Sequence, residues 1–239
     1  MKKILAVIGS RKGENSYTYK FTKLILDKLI IKDKDIKYEI VSPDKYNIKP
    51  CRGCNNCFFK GYCTQDDKDD MNVIKEKMLN ANLIILGSPV YAHNVSGDMK
   101  IFIDRLSYWL HIFKLSNKKF VTITTSSSNG NIYVNDYLKK VLSFMGAVDI
   151  LDIEVTTMSP NLFHDDEFMQ NEVTSYVDLI CNELNSSTYI STELQEKEFR
   201  NLKNIISLYD KDNAEYLYWQ NSGLKDCESY QEYLLKSKL

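Results

Sequence analysis

The sequence predicts an α/β chain: five strands in one doubly wound parallel sheet, followed by a helical C-terminal extension. Three observations predict it. Short runs rich in apolar and β-branched residues recur at Lys3–Ile8, Tyr38–Val41, Leu83–Leu86, Phe120–Thr124 and Ile150–Val155. The third is an unbroken apolar run, the pattern of a strand buried on both faces. Between the runs, apolar residues recur at helical spacing. Polar segments bearing glycine and serine follow strands one, three and four. They therefore share one edge of the sheet, the edge where ligands sit in open α/β folds.

Composition narrows the class. The chain has 239 residues, 44% of them hydrophobic and 26% charged, as in soluble globular proteins. A net charge of −1, with no basic cluster, leaves no electrostatic footprint for nucleic acid. No apolar run approaches the ~18 residues of a membrane span. The opening MKKILAVIG has too short an apolar run for a signal peptide, and no small-residue cleavage site follows it. It reads as the first strand, and the expected location is the cytoplasm. Four of the six cysteines lie within Cys51–Cys63. In a reducing compartment such a cluster points to a metal or redox site rather than a disulfide framework.

The first strand runs into GSRKGENSYTYK, residues 9–20. A helix follows, with Tyr17, Phe21, Leu24, Ile25 and Leu29 on one face. A polar loop feeding a helix N-terminus offers free N–H groups and the positive end of the dipole to an anion. Ser10, Asn15, Ser16 and Thr18 can add donors and Arg11 a charge. The loop fits neither G-x-G-x-x-G nor G-x-x-x-x-G-K-[ST], and an ordinary strand-to-helix turn with a Ser cap is the alternative. After the second strand comes the cysteine cluster, then TQDDKDDM, whose aspartates suit the start of a helix carrying Met71, Ile74 and Met78. The third strand ends at Gly87-Ser88-Pro89. Met99, Phe102, Ile103, Leu106, Leu110 and Phe113 then predict an amphipathic helix. The fourth strand ends in TTSSSNGN and leads into a helix with Val134, Tyr137, Leu138, Val141, Leu142 and Met145, stopped by Gly146. A fifth helix follows the fifth strand, carrying Met169, Val173, Tyr176, Val177, Ile180 and Leu184. Residues 1–187 are expected to form the sheet unit. Residues 188–239 exceed its needs. There, Thr192 with Gln195 fits a capping box, and further helices are expected around Leu194–Tyr209, Tyr216–Trp219 and Tyr230–Leu235, broken near Gly223.

The cysteines follow C-x2-C-x2-C-x5-C: Cys51, Cys54, Cys57 and Cys63. Three thiolates in seven residues can wrap one face of a cubane cluster, with the fourth closing it. Zinc sites more often use two separated C-x-x-C pairs. A [4Fe–4S] cluster leads, with a bare thiol loop and zinc as alternatives. Cys181 reads as core packing, and Cys227 has no thiol neighbour in sequence.

Three pieces, GSRKGENS, CRGCNNCFFKGYCTQDDKDDM and SPVYAHNVSGDMKIFIDR, resemble the flavodoxin-fold FMN reductases, specifically their iron–sulfur flavoprotein branch. They span roughly the first 125 residues, and the strand–helix alternation extends the match to about residue 185. The resemblance implies the flavodoxin-like strand order 2-1-3-4-5, which sets strands one and three side by side at the switch point. It implies FMN, its phosphate on Ser10, Arg11, Asn15, Ser16 and Thr18. Tyr17 departs from that pattern, where a small or hydroxyl residue is usual. Pro89, Val90, Tyr91, His93 and Asn94 would wrap the isoalloxazine ring, and Thr125, Ser126, Ser127 and Gly130 would approach its other edge. Tyr91 also reads as a packing aromatic and His93 as a solvated loop residue. Lys100, Asp104 and Arg105 match a helix signature of the family, with a structural reading open. The motif resembles that branch's compact cysteine motif. No catalytic residue is assigned, because hydride transfer to flavin N5 requires no protein acid or base. NAD(P)H or ferredoxin is the implied electron donor. A flavin, quinone, small electrophile or iron–sulfur partner is the acceptor, and a homodimer or homotetramer is the implied assembly. Competing readings are a non-enzymatic flavodoxin-like carrier, a simple FMN reductase with an empty cysteine loop, and a module that has lost FMN. Carriers of that kind are usually strongly acidic, unlike this chain.

Overall fold

The structure, a computed structural model, describes residues 1–157 and 166–237, and of residues 166–170 only the backbone. Strands β1 (Lys2–Ile8), β2 (Ile36–Val41), β3 (Leu83–Pro89), β4 (Lys119–Ser126) and β5 (Val148–Thr156) form one parallel sheet in the order β2-β1-β3-β4-β5. This is the expected order. Alternation along the central strands sends side chains into two cores. Leu5, Val7, Ile84 and Leu86 enter one; Ile4, Ala6, Ile8, Leu83 and Ile85 enter the other. A strand that must be apolar on both faces gives the unbroken run seen in the sequence.

Helix α1 (Tyr17–Lys32) packs on the second core with Phe21, Ile25 and Leu29. Tyr17, expected on that face, is exposed at the first turn. A short helix, α2 (Asn56–Lys60), lies inside the cysteine loop and was not evident from spacing. Helix α3 (Met71–Asn80) covers the first core with Met71, Ile74 and Met78. Helix α4 (Gly97–Asp104) ends earlier than the periodicity predicts, and a 3-10 turn at Ser107–Leu110 follows. The apolar residues of that run remain buried or half-buried, but Phe113 adopts a positive φ of 47°. The break accommodates Arg105 and the bulky pair Tyr108-Trp109, all of which turn inward.

Helix α5 (Asn131–Phe144) ends at Gly146, whose φ of 95° lies in the left-handed region. A Cβ there would also meet the Tyr230 hydroxyl at 2.6 Å, so glycine is required twice over. Helix α6 (Asp166–Asn185) places Val173, Val177, Ile180 and Cys181 in the second core. The side chain of Met169 lies outside the described residues. The C-terminal stretch forms α7 (Glu193–Ile206), α8 (Ala214–Ser222) and α9 (Tyr230–Lys236). The Thr192–Gln195 capping box is present, and Gly223 (φ 82°) stops α8. Phe199, Trp219 and Tyr230 join Phe113 in one aromatic cluster, with Phe113–Tyr230 centroids 4.5 Å apart. The Tyr230 hydroxyl donates to the Gly146 carbonyl at 2.6 Å. These helices thus complete the first core. No described helix is long and apolar enough to cross a membrane.

Candidate functional site

Side-chain and backbone bonds bring the polar loops together at the carboxyl edge of the sheet. Ser96 caps α4, accepting from the Met99 N–H at 3.1 Å. Its own N–H donates to Ser88 Oγ at 3.1 Å, and its hydroxyl donates to the Gly9 carbonyl. One serine therefore ties the loop after β1 to the end of β3. Gly9 is the only residue that fits there, since a Cβ would stand 2.6 Å from Met99 Cβ. Thr18 Oγ1 and Thr125 Oγ1 share a buried hydrogen bond of 2.7 Å, which joins α1 to the end of β4. The Val90 N–H donates to the Thr125 carbonyl at 2.8 Å.

In the loop after β1, Ser10 and Ser16 are buried, while Arg11 and Asn15 face solvent. Arg11 pairs with Asp98 at 2.8 Å. Ser16 occupies the N-cap of α1 but makes no capping bond with its side chain. The first N–H groups of α1 thus lack a side-chain cap, as an anion-binding helix start requires. Thr18 is fully buried with its hydroxyl engaged by Thr125.

Residues 91–94 form a two-residue turn. Tyr91 and Asn94 exchange N–H to carbonyl bonds of 2.9 and 3.0 Å, and Ala92 and His93 both have φ above 50°. Left-handed conformation at two non-glycine residues costs of order 1 kcal/mol each and holds Tyr91 and His93 outward. The His93 ring lies 5.5 Å from that of Tyr133, which sequence reasoning did not single out. Pro89 and Val90 are half-buried, Asn94 and Ser127 exposed, and Thr125 and Ser126 buried. Gly130 (φ 91°) lies against this turn: a Cβ would meet Val90 Cγ1 at 2.9 Å and His93 Nδ1 at 3.3 Å. Ser126 Oγ is buried and has no hydrogen-bond partner among the described residues. An uncapped helix start, an unpartnered hydroxyl, a glycine-lined approach and two exposed aromatic faces are what a phosphorylated flat ring requires. A cavity of about 340 Å³ borders the loop after β1, lined by Gly9, Arg11 and Asp98 together with Val41, Tyr46 and Phe102. Residues 89–94 take no part in it.

The cysteine loop lies beside α4. Cys51 and Cys54 are exposed, Cys57 and Cys63 half-buried. A hydrogen bond from the Asn56 backbone N–H, above all, draws the Cys54 thiol down from its ordinary range. Burial pushes the Cys57 thiol up to about 11, with the charges of Cys63, Cys51 and Cys54 adding to it. The Cys57 sulfur thus lies within the field of the other three. Among the described residues, no three His, Cys, Asp or Glu side chains converge into a ready metal site. The donor set fits an iron–sulfur cluster chemically, and the loop as described is not closed around one.

Both ends of this loop are clasped by Arg105, whose side chain is fully buried. Its guanidinium donates to the Lys49 carbonyl at 2.9 Å before Cys51, and to Asp66 at 2.9 Å and Asp69 after Cys63. Lys75 donates to the other oxygen of Asp66 at 2.6 Å. Burial alone would raise the Asp69 carboxyl, but hydrogen bonds from Arg105 and from the Lys49 and Met71 N–H groups hold it below its ordinary value. The aspartates read from sequence as a helix start therefore serve mainly as anchors. At α3, Asp69 accepts the Met71 N–H at 3.0 Å, and Asp70 is the N-cap residue, its carboxylate taken by the Asn47 N–H at 2.7 Å. Four aspartates in five positions exceed what one helix dipole needs, and that excess was the signal.

A family model of NADPH-dependent FMN reductases matches residues 2–159. The chain belongs to that family. An iron–sulfur flavoprotein of Archaeoglobus fulgidus is 36% identical over 127 residues, 52% of this chain and 59% of that one. An iron–sulfur flavoprotein of Clostridioides difficile is 28% identical over 149 residues, 62% of each chain. This FMN reductase family member thus spans about three-fifths of the length of those relatives. An apo NADH:FMN oxidoreductase shares the fold, with a TM-score of 0.59, 21% identity, and coverage of 82% of this chain and 96% of that one. So does an FMN-dependent NADH-azoreductase of Bacillus anthracis in complex with FMN, with a TM-score of 0.57, 16% identity, and coverage of 78% and 100%.

Proposed function

We propose that the chain is an FMN-dependent oxidoreductase, taking electrons from NAD(P)H or ferredoxin and passing them to a flavin, quinone, small electrophile or iron–sulfur partner. The observation that carries this reading is the junction of the three edge loops through Ser96, the Thr18–Thr125 bond and Gly130. Bound there, FMN supplies hydride acceptance at N5 and one-electron transfer. The chain binds and orients. Ser10, Arg11, Asn15 and Ser16, with the Thr18 N–H, hold the phosphate. Pro89, Val90, Tyr91, His93 and Asn94 shape the ring slot. Ser126, whose hydroxyl has no partner among the described residues, would line the ring's other edge with Thr125, Ser127 and Gly130. Donors at that edge stabilise the reduced ring's negative charge. Residues 1–187 form the FMN-binding unit and residues 188–239 the extension, in a cytoplasmic homodimer or homotetramer.

In this reading Cys51, Cys54, Cys57 and Cys63 hold a [4Fe–4S] cluster. The names of the relatives and the C-x2-C-x2-C-x5-C spacing support it. A second reading is an FMN reductase whose thiols stay free, with Cys51 and Cys54 exposed to solvent. The test is the absorption spectrum of protein purified without oxygen, with iron, sulfide, zinc and FMN counted. Flavin bands over a broad shoulder that bleaches with dithionite, with about four irons per FMN, support the first reading. Flavin bands with four free loop thiols support the second. Absence of flavin after FMN addition defeats both.

A further inference from the structure

The family model ends at residue 159, and nothing in it accounts for the C-terminal extension. Yet the extension reaches the cysteine loop. Helix α2, which carries Cys57, makes its main tertiary contact with α8. Gly61, just past the end of α2, lies where a Cβ would meet Ala214 Cβ at 3.4 Å, ordinary packing distance. The Phe58 ring of α2 lies 4.9 Å from the ring of His111. Nδ1 of His111 donates to Glu215 Oε1 at 2.9 Å, and Glu215 is almost fully buried at the start of α8. The Trp219 indole N–H donates to the His111 carbonyl at 2.8 Å. The extension therefore grips His111 by side chain and backbone, and His111 presents its ring to the loop. A cavity of about 220 Å³ behind Cys57 is walled jointly by Lys75 and Tyr108 of the sheet unit and Ala214 and Tyr218 of the extension.

We propose that Glu215 is a positioning residue for the cysteine loop, acting through His111 and Phe58, and that the extension is the loop's outer wall. A buried carboxylate fixes the imidazole in one tautomer and one plane. The fixed ring then fixes Phe58, and with it the helical turn on which Cys57 stands. The inference rests on the reading of this loop as a ligand loop, but its test does not require the ligand.

The measurement is residue-resolved alkylation of full-length, FMN-loaded, iron-free protein with iodoacetamide, read by mass spectrometry. In Glu215→Ala, Cys57 reacts about fivefold faster, the equilibrium equivalent of one lost hydrogen bond. Exposed Cys54 is unchanged. Glu215→Gln, which still accepts from Nδ1, restores the native rate. His111→Ala gives the same acceleration. Adding Glu215→Ala to it gives no more, because the two residues act in series. The half-exposed His111 variant carries the test alone if Glu215→Ala does not fold. An unchanged Cys57 rate overturns the proposal. So does a parallel rise at Cys54 with a lowered melting temperature, which is general loosening. Iron uptake by the native chain is scored separately. Its absence defeats the cluster reading and leaves the alkylation result to decide this one.

Discussion

Replacing Arg105 with alanine tests the electrostatic clasp. The side chain is fully buried and donates to Lys49, Asp66 and Asp69. Removing one partner of a buried ion pair costs about 3–5 kcal/mol, because the other charge stays buried without compensation. Asp66 keeps Lys75 at 2.6 Å, so the loss falls on Asp69, whose side chain has no exposure. Asp69 retains the N–H groups of Lys49 and Met71, which places the cost near the lower limit, about 3 kcal/mol. For a chain of this size that lowers the melting temperature by about 6–12 °C. The pH dependence has a definite sign. Asp69 has a lowered carboxyl pKa in the folded protein, so its stabilisation is present above the unfolded value of about 4 and lost as pH falls through the folded one. The gap between native and Arg105→Ala protein is therefore widest near pH 7 and narrows as pH falls below about 5. Thermal unfolding by circular dichroism on both sides of that value, with FMN matched, reads it. A loss under about 2 °C at pH 7, or a gap that widens on acidification, refutes the clasp.

The phosphate loop, the ring slot and the thiols each carry an independent expectation. Ser16→Ala weakens FMN binding about tenfold, the worth of a hydrogen bond to a charged group, and Arg11→Ala weakens it less because that side chain is exposed; fluorescence titration with FMN checks both, and unchanged affinity in the pair removes the phosphate-loop assignment. Gly130→Val forces a branched side chain into φ 91° and onto Val90, so FMN retention through gel filtration falls and stability drops by about 1–3 kcal/mol. Cys54→Ser abolishes iron uptake while FMN content is unchanged, because the Cys54 thiol bonds within its own loop, accepting from Asn56 at 3.4 Å; loss of both groups together would show that the two sites form as one.

The fold was legible because its signals are local. The run Leu83–Leu86 announces a strand covered on both sides, and Thr192 with Gln195 announces a helix start. Where the reading failed, a tertiary demand overrode a local period. Residues 99–113 have a helical repeat, but the chain breaks after Asp104 so that Arg105 reaches Asp66 and Asp69 and the pair Tyr108-Trp109 packs inward. Helix α2 was missed for a different reason. It is one turn long, flanked by left-handed residues Asn55 and Gly61, and too short for its apolar residues Cys57 and Phe58 to repeat.

The candidate site was legible in proportion to how much of it is contiguous. The loops at 9–18, 89–94 and 125–130 each carry their residues together, and topology alone sets them on one edge. The support of the cysteine loop is not contiguous. It comes from Lys49, from Asp66 to Lys75, from Arg105 to His111 and from Glu215 to Trp219. No spacing rule joins residues so far apart, and each has an unremarkable local role as cap, helix face or turn. What distinguishes them is burial of charge. Arg105, Asp66, Asp69, Lys75 and Glu215 are removed from water around this loop, and among the described residues Lys119, paired with Glu183, is buried away from it. Burying a charge costs free energy unless it is paired. Five such groups arranged around one loop therefore mark it as a segment whose position is closely held.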